Sequence, residues 1–152
     1  MIIKSTRLGQ LEANSEDILE FPNGLPGFLD EKKFILVPAE ENSPFAFLQS
    51  VTEANLTFLI VDPFALFQDY EFILDEEAIT DLQLSELNKP QIFNIVTIPE
   101  KAEEMTANLL APVIINSHKR LAKQVVLDKG DYTTRHRLFP NGFSKLEAKG
   151  GR

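Results

Sequence analysis

The chain has 152 residues, of which 43% are hydrophobic, and it carries a formal net charge of −8 and no cysteine. This length and composition are typical of a single water-soluble domain. The lack of cysteine excludes disulfides, thiolate metal sites and cysteine nucleophiles. Because no apolar stretch is long enough to span a bilayer and the amino terminus has no signal-peptide pattern, we expect a cytoplasmic protein without a membrane partner.

The charge is distributed unevenly along the chain. Residues 1–116 contain 6 Lys and Arg against 20 Asp and Glu, whereas residues 117–152 contain 9 against 3. An acidic body of this kind repels nucleic acid and attracts a basic protein partner, although solubility alone also explains the excess of acid. Few aromatic residues lie among the cations of the basic end, which makes it a weak nucleic-acid signature.

Short apolar runs separated by prolines and glycines predict β-strands. They cover residues 34–37, 45–48, 56–61, 70–74, 91–98, 112–116, 123–127 and 132–139. We expect about nine short strands, and therefore a mainly all-β fold, a small antiparallel β-barrel-like domain with one short helix. This single domain is expected over residues 1–143, followed by a polar, mobile tail over residues 144–152.

The run over residues 56–61 is almost entirely apolar, as in a central strand that is covered on both faces, and it stops at the turn Asp62-Pro63. The glycine-dense stretch at residues 24–27 (GLPG) lacks the Gly-Lys-Ser/Thr ending of a phosphate-binding loop. We therefore expect a turn there, in which one glycine adopts a positive φ.

A short helix is predicted after Asp75, which is a suitable N-cap residue, with Glu76 and Glu77 in the first turn, where the helix dipole favours carboxylates. The helix would present three apolar residues on one face. These are Ile79, Leu82 and Leu87.

Enzyme signatures are weak. His118 and His136 are separated by 18 positions, so they do not have the close spacing of a metal-binding pair and are expected to be surface or strand-edge histidines. Ser117 directly precedes His118, and because neighbouring side chains on a strand point to opposite faces, the two cannot form a nucleophile–base dyad there. The acidic clusters lack the calcium-loop pattern. We therefore expect no catalytic residue, metal or cofactor, while a hydrolase or metal-dependent enzyme stays as a competing hypothesis.

A recognition surface is predicted after the turn at Asp62-Pro63. Aromatic residues in a loop, next to the densest acidic stretch of the chain, are typical anchors for a basic amphipathic partner. Packing in the core is the alternative role for each aromatic residue. The candidate partner-binding residues are Phe64, Phe67, Asp69, Tyr70, Glu71, Asp75, Glu76 and Glu77.

Five segments together resemble the family of the flagellar assembly factor FliW. They are residues 18–28 (ILEFPNGLPGF), 44–50 (PFAFLQS), 58–63 (FLIVDP), 106–116 (TANLLAPVIIN) and 124–127 (QVVL). The resemblance extends over about residues 1–140. Each segment alone consists mostly of turn and core residues, whereas the five in this order are specific.

The resemblance implies a bacterial cytoplasmic protein with a small antiparallel β-barrel-like fold, no catalytic activity and no cofactor. It implies two protein partners, the translational regulator CsrA and flagellin, and relief of the CsrA repression of flagellin translation. We expect a monomer in the free state, with no direct contact to nucleic acid. The alternative is a small β-barrel RNA-binding module that uses the basic C-terminal region.

Overall fold

The structure, a computed structural model, describes residues 1–128 and 130–142. The tail predicted over residues 144–152 lies outside the described residues. In chain order the strands are β1 (Ile2–Ser5), β2 (Gly9–Glu12), β3 (Ile18–Glu20), β4 (Lys33–Pro38), β5 (Phe45–Ser50), β6 (Thr57–Val61), β7 (Gln91–Thr97), β8 (Thr106–Ala107), β9 (Val113–Asn116), β10 (Leu121–Gln124) and β11 (His136–Arg137). The described residues form two short helices where one was expected, α1 (Pro63–Leu66) and α2 (Glu76–Asp81), and 3₁₀ turns at Ser15–Asp17 and Ala102–Glu104.

Seven strands close into a barrel. Strands β3 to β7 form an antiparallel meander in chain order. β7 then pairs with β9 and β9 with β10, both antiparallel, and β10 closes the barrel through a parallel contact with β3. The prediction of a mainly all-β, barrel-like domain is confirmed, with eleven strands in the described residues where about nine were expected.

Two additions lie outside the barrel. β1 and β2 form an antiparallel hairpin of their own. β8 pairs with β7, and β11 pairs with β8, so the sheet extends past the barrel on the side of β7. None of β1, β2, β3 and β8 was predicted, because their sequences contain too few consecutive apolar residues.

The sheet separates the apolar core into an interior and an exterior part. Ile60 packs inside the barrel and its neighbour Val61 packs in a cluster on the outside, and both are fully buried. Successive residues of a strand point to opposite faces, so β6 is covered on both sides at its C-terminal end, as predicted. Phe58, earlier in the same strand, is half-buried.

Three strand predictions are wrong in part or in full. Residues 70–74 have the residue types of a strand, but they pair with no strand of the described chain. Of residues 132–139 only His136–Arg137 form a strand, and the strand predicted over 123–127 is shifted to Leu121–Gln124. Local sequence indicates the tendency to extend, whereas a strand also needs a neighbour to pair with.

The predicted helix forms as α2. The Asp75 carboxylate accepts a hydrogen bond of 2.8 Å from the Ala78 N–H, which confirms the cap. Leu82 is buried, but Ile79 is 39% exposed and Leu87 is 91% exposed, so the proposed apolar face was wrong for these two. The helix ends at Asp81 and the chain turns at Gln83, whose φ is +54°, so Leu87 is not carried on the helix.

The glycine-dense stretch forms the expected turn. Gly24 has a φ of +65° and Gly27 a φ of +86°, the left-handed region that glycine adopts easily. A Cβ on Gly24 would lie 2.5 Å from the Leu29 carbonyl oxygen. Gly24 is therefore required both for its backbone conformation and for close packing of the loop.

Candidate protein-binding site

The predicted aromatic residues lie at different depths. Asp62 caps α1 by accepting a hydrogen bond of 3.0 Å from the Phe64 N–H, and Pro63 occupies the first helical position. Phe64 on this helix is 47% exposed. Phe67 is half-buried, with its ring centroid 6.3 Å from that of His136 in an edge-on contact.

The structure places the ring of Tyr70 in the core, beneath the surface that a partner would contact. It is 4% exposed, and its centroid lies 4.7 Å from that of Tyr132 in an edge-on contact. Its hydroxyl donates to the Leu109 carbonyl at 2.7 Å and accepts from Asn94 Nδ2 at 3.3 Å. Burial raises the pKa of Tyr70 to about 12, so the hydroxyl stays protonated and holds the segment to the barrel.

The predicted acidic residues are all at the surface. Asp69, Glu71, Asp75, Glu76 and Glu77 are exposed. Asp75 caps α2 and the two glutamates occupy its first turn, next to the positive end of the helix dipole. The ion pair in the described part of the chain, between Lys123 and Asp81 at 2.7 Å, involves none of them.

A groove lies between two segments that are distant in sequence, residues 71–75 on one side and residues 125–128 with 130–132 on the other. Its cavity volume is about 760 Å³. Two strongly exposed apolar side chains line it, Ile73 at 93% and Val126 at 65%. The two walls are joined where the Glu71 N–H donates to the Tyr132 hydroxyl at 3.0 Å. We name this feature the acidic groove, because four carboxylates line it together with its apolar residues. They belong to Glu71, Asp75, Asp128 and Asp131.

The acidic groove includes only part of the predicted set. Glu71 and Asp75 line it, and the predicted residues that do not are Phe64, Phe67, Asp69, Tyr70, Glu76 and Glu77. The second wall was missed altogether. The sequence shows only Val126 followed closely by Asp128 and Asp131. That Val126 is exposed, and that these residues share a face, depends on the fold.

The cations of the basic end make several contacts within the chain. Lys123 pairs with Asp81, Arg120 Nη1 donates to the Ser117 carbonyl at 3.3 Å, and Arg137 Nη2 donates to the Glu103 carbonyl at 3.3 Å. Lys129, Lys145 and Lys149 lie outside the described residues.

The two histidines fit their predicted surface and edge positions. His118 is exposed, and His136 lies in the short strand β11, where its Nε2 accepts a hydrogen bond of 2.8 Å from the Thr133 N–H. Across residues 1–128 and 130–142, no three side chains of the metal-ligating types His, Cys, Asp and Glu converge on one point. No helix of this part of the chain has the length and apolar character needed to cross a bilayer.

Comparisons with known proteins agree on one family. The family model described as FliW protein matches residues 2–138. The chain is 52% identical to a flagellar assembly factor FliW of Desulfitobacterium hafniense (strain DSM 10664 / DCB-2), over 99% of both chains. It is 46% identical to that of Bacillus subtilis (strain 168), over 90% of this chain and 95% of the relative.

A solved structure agrees as well. A crystal structure of the flagellar assembly factor FliW superimposes with a TM-score of 0.85 at 40% identity, covering 93% of this chain and 99% of the other. The match therefore extends over the barrel and its additions, and the chain belongs to the FliW family.

Proposed function

We propose that this chain is a cytoplasmic flagellar assembly factor that acts by binding proteins and not by catalysis. It binds the translational regulator CsrA and so relieves the repression of flagellin translation, and it binds flagellin in a chaperone-like way before export. Secretion of flagellin frees the chain to bind CsrA. Flagellin export thereby promotes flagellin translation, which makes the exchange of the two partners a feedback switch. Family membership supports the role in flagellar assembly.

The observation that carries the binding role is the acidic groove. Exposed apolar side chains at a rim of carboxylates are the features of a protein interface with a basic partner. CsrA is such a partner by charge, because proteins that bind RNA are basic. An acidic body held close to the RNA-binding surface of CsrA would also repel phosphates.

The proposal is tested with the tagged full-length chain and purified CsrA and flagellin. We expect each partner to be retained on the chain, and CsrA to release a flagellin-leader RNA when the chain is added. Retention of neither partner would contradict the proposal. A salt-sensitive mobility shift of the RNA with the chain alone would favour the alternative of an RNA-binding module.

A further inference from the structure

The backbone of one wall of the acidic groove is open. Within residues 1–128 and 130–142, the N–H and C=O groups of Phe72, Ile73 and Leu74 make no hydrogen bond. The chain is anchored on either side of them, by the Glu71 N–H on Tyr132 and by the Asp75 cap of α2. This stretch of three residues, held at both ends, therefore has unpaired backbone groups at one wall of the groove.

The burial pattern of this wall is that of a strand. From residue 70 to residue 74 the side chains alternate strictly, with Tyr70 buried, Phe72 and Leu74 half-buried, and Glu71 and Ile73 exposed. A period of two places successive side chains on opposite faces. The prediction of a strand over residues 70–74 failed because the described chain supplies no neighbouring strand, and not because the side chains lack the pattern.

The opposite wall of the acidic groove also contains a residue whose backbone groups are unpaired. The Val125 N–H donates to the Pro112 carbonyl at 2.9 Å and the Leu127 N–H donates to the Leu110 carbonyl at 2.8 Å. Val126, between them, has no backbone hydrogen bond to the described residues. Along an extended chain the backbone N–H groups of successive residues point alternately to the two sides. The N–H of Val126 therefore points away from residues 110–112.

The charge of the acidic groove selects what can enter it. No ion pair within the described part of the chain neutralises its four carboxylates. A second copy of the chain would bring the same four negative charges to the contact, and charged residues at an open edge disfavour self-association. The complementary occupant is a cationic segment of another protein.

We infer that the acidic groove is a strand-addition site, in which an extended partner segment that carries both cationic and apolar residues on one face pairs its backbone with residues 72–74. Its apolar side chains contact Ile73 and Val126, and its cations lie beside the four carboxylates. Main-chain hydrogen bonds supply affinity in this mode, and the alternate side chains supply specificity. The inference adds a binding mode to the proposed function, and it rests on that function in taking the occupant of the groove to be a protein.

The probe is a seven-residue peptide with lysine at positions 1 and 5, valine at positions 3 and 7 and threonine between them, so that both residue types lie on one face of the extended chain. It is added to the full-length ¹⁵N-labelled chain. We expect saturable shifts of the Ile73 and Val126 amide signals and an affinity that falls with salt. A peptide of the same sequence, N-methylated on alternate amides, keeps the charge and side chains but loses one edge of main-chain donors. We expect it to bind at least about tenfold more weakly. Equal binding of the two peptides would overturn strand addition.

Matched variants locate the site. Ile73→Ala should weaken peptide binding several-fold, whereas Leu87→Ala, at a residue that is equally exposed but outside the groove, should not. Asp128→Asn with Asp131→Asn should lower the affinity and its salt dependence, and Glu100→Gln, on an exposed residue elsewhere, should leave both unchanged. If Ile73→Ala and Leu87→Ala have the same effect, the groove is not the site.

The same variants separate the inference from the proposed function. Peptide binding without retention of either partner protein would contradict the function and support the groove as a strand-addition site. Retention of a partner that Ile73→Ala and the two aspartate variants leave unchanged would support the function and contradict the inference. Melting curves equal to that of the parent chain show that each variant is folded.

Discussion

The barrel interior and the face around Tyr70 bury aromatic rings in different ways. Phe34 in the interior is 0% exposed and contacts the rings of Phe21 and Phe58, at centroid distances of 5.2 and 6.1 Å. Tyr70 outside the barrel is almost as buried, but it is held by hydrogen bonds to Leu109 and Asn94 as well as by packing.

The difference lies in what happens to the backbone. Around Phe34, strands β3, β4 and β5 pair their backbone N–H and C=O groups with one another in continuous ladders. Around Tyr70 the chain is irregular and is held by a few side-chain hydrogen bonds, while the backbone of residues 72–74 has no partner within residues 1–128 and 130–142. The interior backbone is therefore paired strand to strand, whereas the outer face keeps backbone polar groups that the described residues leave unpaired.

The largest expected effect is that of Phe34→Ala. Removing a fully buried phenylalanine leaves a cavity and should lower the free energy of unfolding by about 3–5 kcal/mol. Phe58→Ala, at a half-buried ring, should cost less, and Phe64→Ala, at an exposed one, about 1 kcal/mol or less. Denaturant unfolding measures all three. Equal losses for Phe34 and Phe64 would remove the distinction between the two regions.

Gly24→Val should come next, with a loss of about 2–3 kcal/mol, because it combines a positive φ with overlap of the Leu29 backbone. Gly27→Val has the positive φ, but apart from its chain neighbours no heavy atom of the described residues lies within 4 Å of an added Cβ, so it should lose about 1 kcal/mol. Both should bind partners normally once folded. Full stability with lost binding would make this loop an interface.

Tyr70→Phe should cost about 1 kcal/mol, since it removes a hydroxyl that bonds the buried Leu109 carbonyl. It should also change the pH dependence. The pKa of Tyr70 is raised from 10.0 to about 12 by burial, so its contribution is complete below pH 10 and is lost as the pH rises through about 12.

Unfolding curves of the parent and of Tyr70→Phe, taken between pH 9 and pH 12, should therefore converge as the pH rises. The window follows from the pKa of Tyr70 and its ordinary value. Every other group is common to the two proteins, so its contribution cancels in the difference. A difference in unfolding free energy that stays constant over the whole pH range would contradict the raised pKa of Tyr70.

The smallest effect on stability is expected from reversing Glu76 and Glu77 to lysine, a few tenths of a kcal/mol through the helix dipole. These glutamates lie on α2 and do not line the acidic groove. We expect the reversal to slow association with CsrA at low salt, flatten its salt dependence and leave dissociation unchanged, because steering is a long-range effect. Stopped-flow kinetics at two salt concentrations measure this, and an unaltered association rate at low salt would contradict steering by these two glutamates.

Residues close together in sequence determined several features directly. The cap and first turn of α2 could be predicted from Asp75 to Glu77, because capping and the helix dipole act within one turn. The turn at residues 24–27 followed from its glycines, and the apolar runs located β4 to β7 and β9. The order of five short motifs was enough to identify the family.

The tertiary structure alone decided which residues face each other. It brought Val126, Asp128 and Asp131 opposite Ile73, about fifty positions away, and it placed Tyr70 in the core. It also left residues 70–74 without a neighbouring strand in the part of the chain that the structure describes. The physical reason is that a strand is completed by hydrogen bonds to a distant segment, and a surface by side chains from several segments, so neither can be derived from local propensity.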